Sequence, residues 1–443
     1  MKDILIKCKN LFVKVKEKMA YFFNKITELF FTFLKRFDVW IYLFIITSLS
    51  LLMRYFLLDC IRGDFTSFLK PWYKRILENG FSAIGVSFGD YTPAYYYLLY
   101  FLSLFKFDPE SLSVLHGIKW ISIFFDYLLA VFVSLICLEL TKNKVKMLIA
   151  YTATVFGLTI FLNSSLWGQC DAIYSSFAVI SIYCILKGKP NLSMIFLGFS
   201  FSFKLQTIFI LPVFIIMFLR REFKLRYFLW IPLIYCLMAI PACFASDNFF
   251  GRFNEILRIY INQSTNSYQQ LTLNAGSFYA LIFTNFKNEN FISSFSLYLA
   301  IAIIGTFIFF IYRSKEKFNR NTWFKIFVLF AMIMPYFLPH MHERYFYIAD
   351  AIVVVYALIN PKKFYIAIMA ILNSMIGYMV YLWNVSFINV VPQDTAADST
   401  KALSFRFGSM VYLVAIIIVS VDLFKELYPK GLSNEEETVS QPK

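Results

Sequence analysis

Long runs of apolar residues, each about the length of a membrane crossing, alternate along this chain with short polar breaks. A helix needs about 20 apolar residues to cross the hydrocarbon core of a bilayer. The pattern predicts a first span over 38–58 and a second over 113–140. Spans over 147–163 and 170–186 follow. Residues 191–219 form one apolar stretch broken only by Lys204 and Gln206. A single helix there would hold Lys204 near mid-membrane, which is costly, so the stretch reads as two short helices with Lys204 at the turn. Further spans are expected over 225–245, 291–312, 323–338, 345–359, 363–391 and 403–424. The total is about twelve, in an all-α polytopic fold. The segment Pro93–Phe107 is too short to cross and reads as a juxtamembrane helix inside the loop 59–112.

Residues 1–38 follow a different rhythm. Ile4, Leu11, Val15, Phe22, Ile26, Leu29 and Phe33 recur at helical spacing among Lys7, Lys9, Lys14, Lys16, Lys18 and Lys25. No short apolar core with a small-residue cleavage site follows, so a removed signal peptide is not expected. An amphipathic helix lying on an anionic membrane surface is. The membrane domain then covers 39–428, with a polar tail over 429–443.

Composition agrees with this organisation and narrows it. Apolar residues make up 59% of the 443 and charged residues 16%, against about 45–50% and a quarter in soluble domains. Soluble, disordered and disulfide-rich classes are excluded, as is a barrel of alternating strands. The 42 basic and 27 acidic residues leave a net charge of +15. That excess lies in the N-terminal segment and in the short loops at 142–146, 187–189, 220–226, 313–320 and 362–363. The positive-inside rule assigns these to the cytoplasm, with both termini inside, and nucleic acid is not needed to explain the charge.

The polar residues that remain cluster in loops of the opposite parity. They are Asp59 with Arg62-Gly63-Asp64, Pro71-Trp72-Tyr73-Lys74-Arg75, Asp90-Tyr91-Thr92, Ser165-Leu166-Trp167-Gly168-Gln169-Cys170-Asp171, Lys204 with Gln206, and His340-Met341-His342-Glu343-Arg344. Acids, cations and aromatics gathered on one membrane face point to one polar site. Each residue also has a plainer reading. Asp64 could cap a turn after Gly63. Lys204 could snorkel. Trp167 could sit in an aromatic belt beside an N-terminal Asp171. Asp90 and Thr92 could cap the helix that starts at Pro93.

The order GDF…PWY, GDYTPAYYYLLY, SSLWGQCDAIYSS, SFKLQTIFILP and HMHERYFYIAD resembles the bacterial mannosyltransferase-like proteins related to the GPI mannosyltransferases, within the GT-C glycosyltransferase superfamily. The likeness covers roughly 38–425. It implies a GT-C fold and an inverting enzyme of the cytoplasmic membrane. Such an enzyme moves a hexose from a polyprenyl-phosphate donor to an extracytoplasmic envelope glycan or teichoic-acid-like polymer. The catalytic acid of that family lies in the first outer loop, which matches Asp64, with Asp59 a near rival. Lys204, Arg344, Lys74 and Arg75 would meet the donor phosphate. Asp90, Trp167, Gln169, Asp171, Gln206, His340, His342 and Glu343 would meet sugar or acceptor. No cofactor is expected. A phosphate that leaves already ionised can be served by protein cations, and a divalent metal ion is the alternative. The competing functions are a lipid-linked sugar flippase and a polysaccharide polymerase or ligase. The flippase would spread polar residues through several spans rather than gather them at one face.

Overall fold

The computed structural model describes residues 2–263, 270–282, 290–383 and 397–429. It is almost entirely helical. The helices are α1 Lys2–Tyr55, α2 Lys70–Asn79, α3 Pro93–Ser103, α4 Leu112–Thr141, α5 Lys144–Val155, α6 Leu158–Leu162, α7 Asp171–Leu186 and α8 Pro190–Phe203. They continue with α9 Leu211–Leu219, α10 Trp230–Phe244, α11 Phe249–Asn262, α12 Phe278–Ile282, α13 Asn290–Arg313, α14 Arg320–Phe337, α15 Tyr347–Ile359, α16 Tyr365–Trp383 and α17 Ala397–Leu427. Among the described residues the one strand pair is parallel, β1 Thr272–Leu273 against β2 Met341–His342.

The chain divides into two units, residues 1–53 and 54–443. In the first, α1 leaves helical geometry at Phe37 (φ −114°, ψ 16°). The break falls where the basic amphipathic pattern gives way to the apolar one, one residue from the expected boundary. Beyond it Trp40, Phe44 and Leu52 are exposed, as a lipid-facing helix requires.

Each expected apolar segment is helical where described. Helices 36–55, 112–141, 225–244, 292–313, 361–383 and 403–427 are long and apolar enough to cross a membrane, and the pair 144–155 with 158–167, bent by 40°, makes a seventh if it is counted as one span. The chain is a membrane protein. The other expected spans are short: α7, α8, α14 and α15, and the run 205–219, have 13 to 18 residues. At 1.5 Å per residue they reach only about 20–27 Å. The expected extension of the eleventh span to 391, parts of the loops 246–289 and 392–402, and the tail beyond 429 lie outside the described residues.

Among the described residues, beside smaller clusters around Trp167 and Tyr378 and around Ile376 and Phe405, two large cores hold most of the helices. The larger packs α14 and α15, both almost wholly buried, against α4, α7, α9, α16 and α17. The smaller packs α2 and α3 against the start of α4, α10 and α11 through Trp72, Tyr73, Tyr95, Leu99 and Ile256. Pro71 and Pro93 open α2 and α3, where a missing N–H costs nothing. The loop 59–112 carries juxtamembrane helices as expected: α3, which the sequence places at Pro93, and α2, whose bounds it does not mark. Thr92 stands at the N-cap of α3 but does not cap it. Its hydroxyl donates to the Ser202 carbonyl, tying α3 to α8.

The loops sort into two ends as the charge alternation requires. At the basic end Glu139 meets Lys142 (3.0 Å), Lys187 (3.1 Å) and Arg320. Arg220 donates to the carbonyls of Ser314 and Glu316 (both 2.7 Å). Lys146 donates to the Leu358 carbonyl (2.8 Å). Lys363 pairs with Asp422, and Lys325 with Glu426 (2.7 Å). Acids are therefore not confined to the other end. Glu139, Glu222, Asp422 and Glu426 tie the basic loops together.

Candidate functional site

The chain leaves α1 and runs to Asp64 along a path fixed by a buried lysine. Lys119, on α4, donates to the carbonyls of Leu57 (2.8 Å), Leu58 (2.9 Å) and Cys60 (2.8 Å). These are groups that a fraying helix end leaves without partners. One turn of π-helix over Phe65–Leu69 begins immediately after Asp64.

A second π turn, Asn163–Trp167, follows α6 and ends at Gly168 in the left-handed region (φ +79°). Such turns recur at functional sites because the extra residue re-aims side chains. Here Trp167 Nε1 donates to Asp64 Oδ2 at 3.0 Å, and Gln169 Nε2 donates to the same oxygen. Tyr381 of α16 donates to Oδ1 at 2.8 Å. Trp167 is stacked on Tyr381 (centroids 4.8 Å apart) and meets Tyr378 edge-on. It is fully buried, so it is not part of an aromatic belt.

A second carboxylate, Asp171, starts α7. It does not cap the helix. Instead it accepts from Lys204 Nζ at 2.5 Å and from Asn163 Nδ2 at 3.0 Å. Lys204 terminates α8 and is buried, with Tyr91 and Tyr174 facing its ammonium. It does not snorkel. Arg344 stands between the two carboxylates, with Nη1 3.6 Å from Asp64 and Nε 3.6 Å from Asp171. Its guanidinium lies 5.4 Å from the Trp167 ring. The short helices thus stop at the site, and their ends supply its residues: Asp171 opens α7, Lys204 closes α8, and 340–345 link α14 to α15.

These groups surround a cavity of about 270 Å³ lined by Asp64, Trp72, Asp90, Tyr91, Gln169, Lys204, Gln206, Tyr260, His342, Glu343, Arg344 and Tyr381, among others. Trp167 and Asp171 lie just beneath its wall. Asp90 presents its carbonyl to Gln263.

Four expected site residues lie elsewhere. Asp59 is exposed and meets His116 Nε2 at 2.7 Å. Lys74 is exposed beside Glu78 at 4.0 Å. Arg75 lies over Phe88. His340, with φ +64°, meets Gln270 O and Ser293 Oγ at 2.8 Å each. The two histidines therefore diverge, one held by neighbouring loops and one on the cavity wall. Among the described residues no three His, Cys, Asp or Glu side chains form a group suited to a metal ion.

Burial, together with Arg344 and Lys204, holds His342 well below the ordinary histidine range, so it is neutral at pH 7. Burial pushes Glu343 up to about 7 against the opposing pull of Arg344. The aromatic wall of Trp72, Tyr91, Tyr260 and Tyr381 was not foreseen as such. Trp72 and Tyr91 stood in polar clusters, whereas Tyr381 carried no signal in a chain with 29 tyrosines.

Compared with known proteins, the chain matches no family model, and no curated protein matches it.

Proposed function

We propose that this chain is an inverting glycosyltransferase of the GT-C kind. It takes a hexose from a polyprenyl-phosphate donor and passes it to an envelope glycan or teichoic-acid-like acceptor. One arrangement carries the reading: Asp64 and the cations Lys204 and Arg344 share a single cavity wall. Asp64 Oδ2 already accepts two hydrogen bonds, whereas Oδ1 accepts one, from Tyr381. A carboxylate oxygen has two lone pairs, so Oδ1 keeps a position for the acceptor hydroxyl.

In the proposed step the acceptor oxygen bonds to the sugar C1 and its proton passes to Asp64 Oδ1. The C1–O bond to phosphate breaks on the opposite face, and its electron pair leaves with the polyprenyl phosphate. Arg344 is the more available cation for that anion, since its contacts with Asp64 and Asp171 are long at 3.6 Å. Lys204 is committed to Asp171 and supplies field rather than a direct bond. No metal ion is required by this step. Twelve crossing segments fit it, six of them long, with the short ones ending at the cavity. The basic end then faces the cytoplasm and the cavity the outside.

The test uses purified full-length protein, synthetic polyprenyl-phosphate hexoses and glycan acceptors, in excess chelator. The expected result is acceptor-dependent release of polyprenyl phosphate and a product of inverted anomeric configuration. A retained configuration, or lipid moved across the membrane intact without transfer, would sink the reading.

A further inference from the structure

Glu343 is the acid that the proposed step leaves unused. It is 1% exposed and lines the cavity. No other described residue donates a hydrogen bond to either of its carboxyl oxygens, and its own backbone N–H is the one donor close to them. The nearest basic side-chain atoms, Nη1 of the Arg344 guanidinium at 3.8 Å and Nδ1 of the neutral His342 at 3.9 Å, are beyond hydrogen-bond reach. The residue is nevertheless rigidly placed. The strand pair fixes 341–342 on one side. On the other, α16 presses so close that a Cβ on Gly377 would stand 2.6 Å from the Glu343 Cβ. Burying two unfilled acceptors costs free energy unless something arrives to fill them.

The arriving group is constrained by its neighbours. Lys204 and Arg344 stand over Asp64 and Asp171, two cations for two carboxylates, and the donor lipid proposed above brings hydroxyls and a phosphate but no cation. Neutral donors suit the remaining carboxyl, and its two adjacent oxygens suit two adjacent donors. Resting on the glycosyltransferase reading, we infer that Glu343 is the specificity-determining residue of the cavity, pairing its carboxyl group with two neighbouring hydroxyls of the donor hexose. Ionised, it accepts from both. Protonated, it accepts from one and donates to the other.

Equilibrium binding to the purified full-length protein tests this with three probes: polyprenyl phosphate, its hexose conjugate, and conjugates lacking single hydroxyls. Glu343→Gln is expected to weaken the hexose conjugate roughly tenfold or more, as loss of a charge-assisted bond does. Bare polyprenyl phosphate should change less than twofold. At least one deoxy conjugate should bind the wild type as weakly as the full conjugate binds the variant, with little further loss in the variant. An unliganded melting temperature no lower than that of the wild type excludes misfolding as the cause. Equal weakening of both lipids, or of neither, overturns the inference and leaves the transferase reading standing. Failure of both lipids to bind the wild type overturns the two together.

Discussion

Glu343 shows how one residue can be set by its surroundings. Its carboxyl is buried and pushed up to about 7, so the folded protein holds a proton there that the unfolded chain has lost. Folding stability then falls as pH rises from about 4.5, the ordinary glutamate value, to about 7 and is flat beyond. Thermal unfolding in detergent should show this slope in the wild type and its absence in Glu343→Gln. A parallel pH dependence in both proteins would contradict it. Asp64, by contrast, is oriented by three donors from two separate elements, Trp167 and Gln169 beside the π turn and Tyr381 on α16. Such residues were legible in the sequence when they broke an apolar run or stood in a polar loop, as Lys204, Gln169 and Arg344 do. Tyr381 was not, because it looks like any aromatic in a span. Asp59 and Asp64 were indistinguishable by sequence distance. What separates them is the Lys119 collar, which leaves Asp59 in solvent and carries the chain on to Asp64.

At the scale of elements, the π turn Asn163–Trp167 is the part on which the site depends most. It is held from below by a fully buried network. Arg54 pairs with Asp126 at 2.5 Å and donates to Ser164 Oγ (2.7 Å), Ser165 Oγ (2.9 Å) and the Val155 carbonyl (3.0 Å). Tyr347 donates to the other Asp126 oxygen at 2.8 Å. Removing one partner of such a pair leaves a buried charge without its counter-ion. Asp126→Ala should therefore lower stability by roughly 3–5 kcal/mol. The double variant Arg54→Met with Asp126→Leu should recover much of it. Unchanged melting in Asp126→Ala would contradict this role. None of the network was legible beforehand. Hydropathy averages over about 20 residues, which hides single charges inside apolar runs, and the partners lie 72 and 110 residues apart.

For the whole molecule, charge alternation was the informative signal. Loops assigned to one side by their Lys and Arg content do meet one another, around Glu139 and Asp422 at one end and around the cavity at the other. The bounds of α7, α14 and α15 were legible to within a few residues, and the break at Lys204 that ends α8 was legible too. These short helices end at the cavity, and α14 and α15 are buried by protein rather than lipid. The orientation proposed above predicts thiol labelling in intact cells, in a background without native cysteines. Ser87→Cys, exposed at the cavity end, should react with a membrane-impermeant reagent. Lys315→Cys, exposed at the basic end, should react only after lysis. The reverse pattern would contradict the orientation.

In the proposed transfer Asp64 takes the acceptor proton in a cavity whose cations receive the phosphate. The transfer rate of Asp64→Asn beside the wild type, with donor binding measured on the same samples, tests this. The rate is expected to fall by roughly 10²–10⁴-fold with donor affinity largely kept, since Lys204 and Arg344 remain in place. Full transfer activity in Asp64→Asn would contradict it.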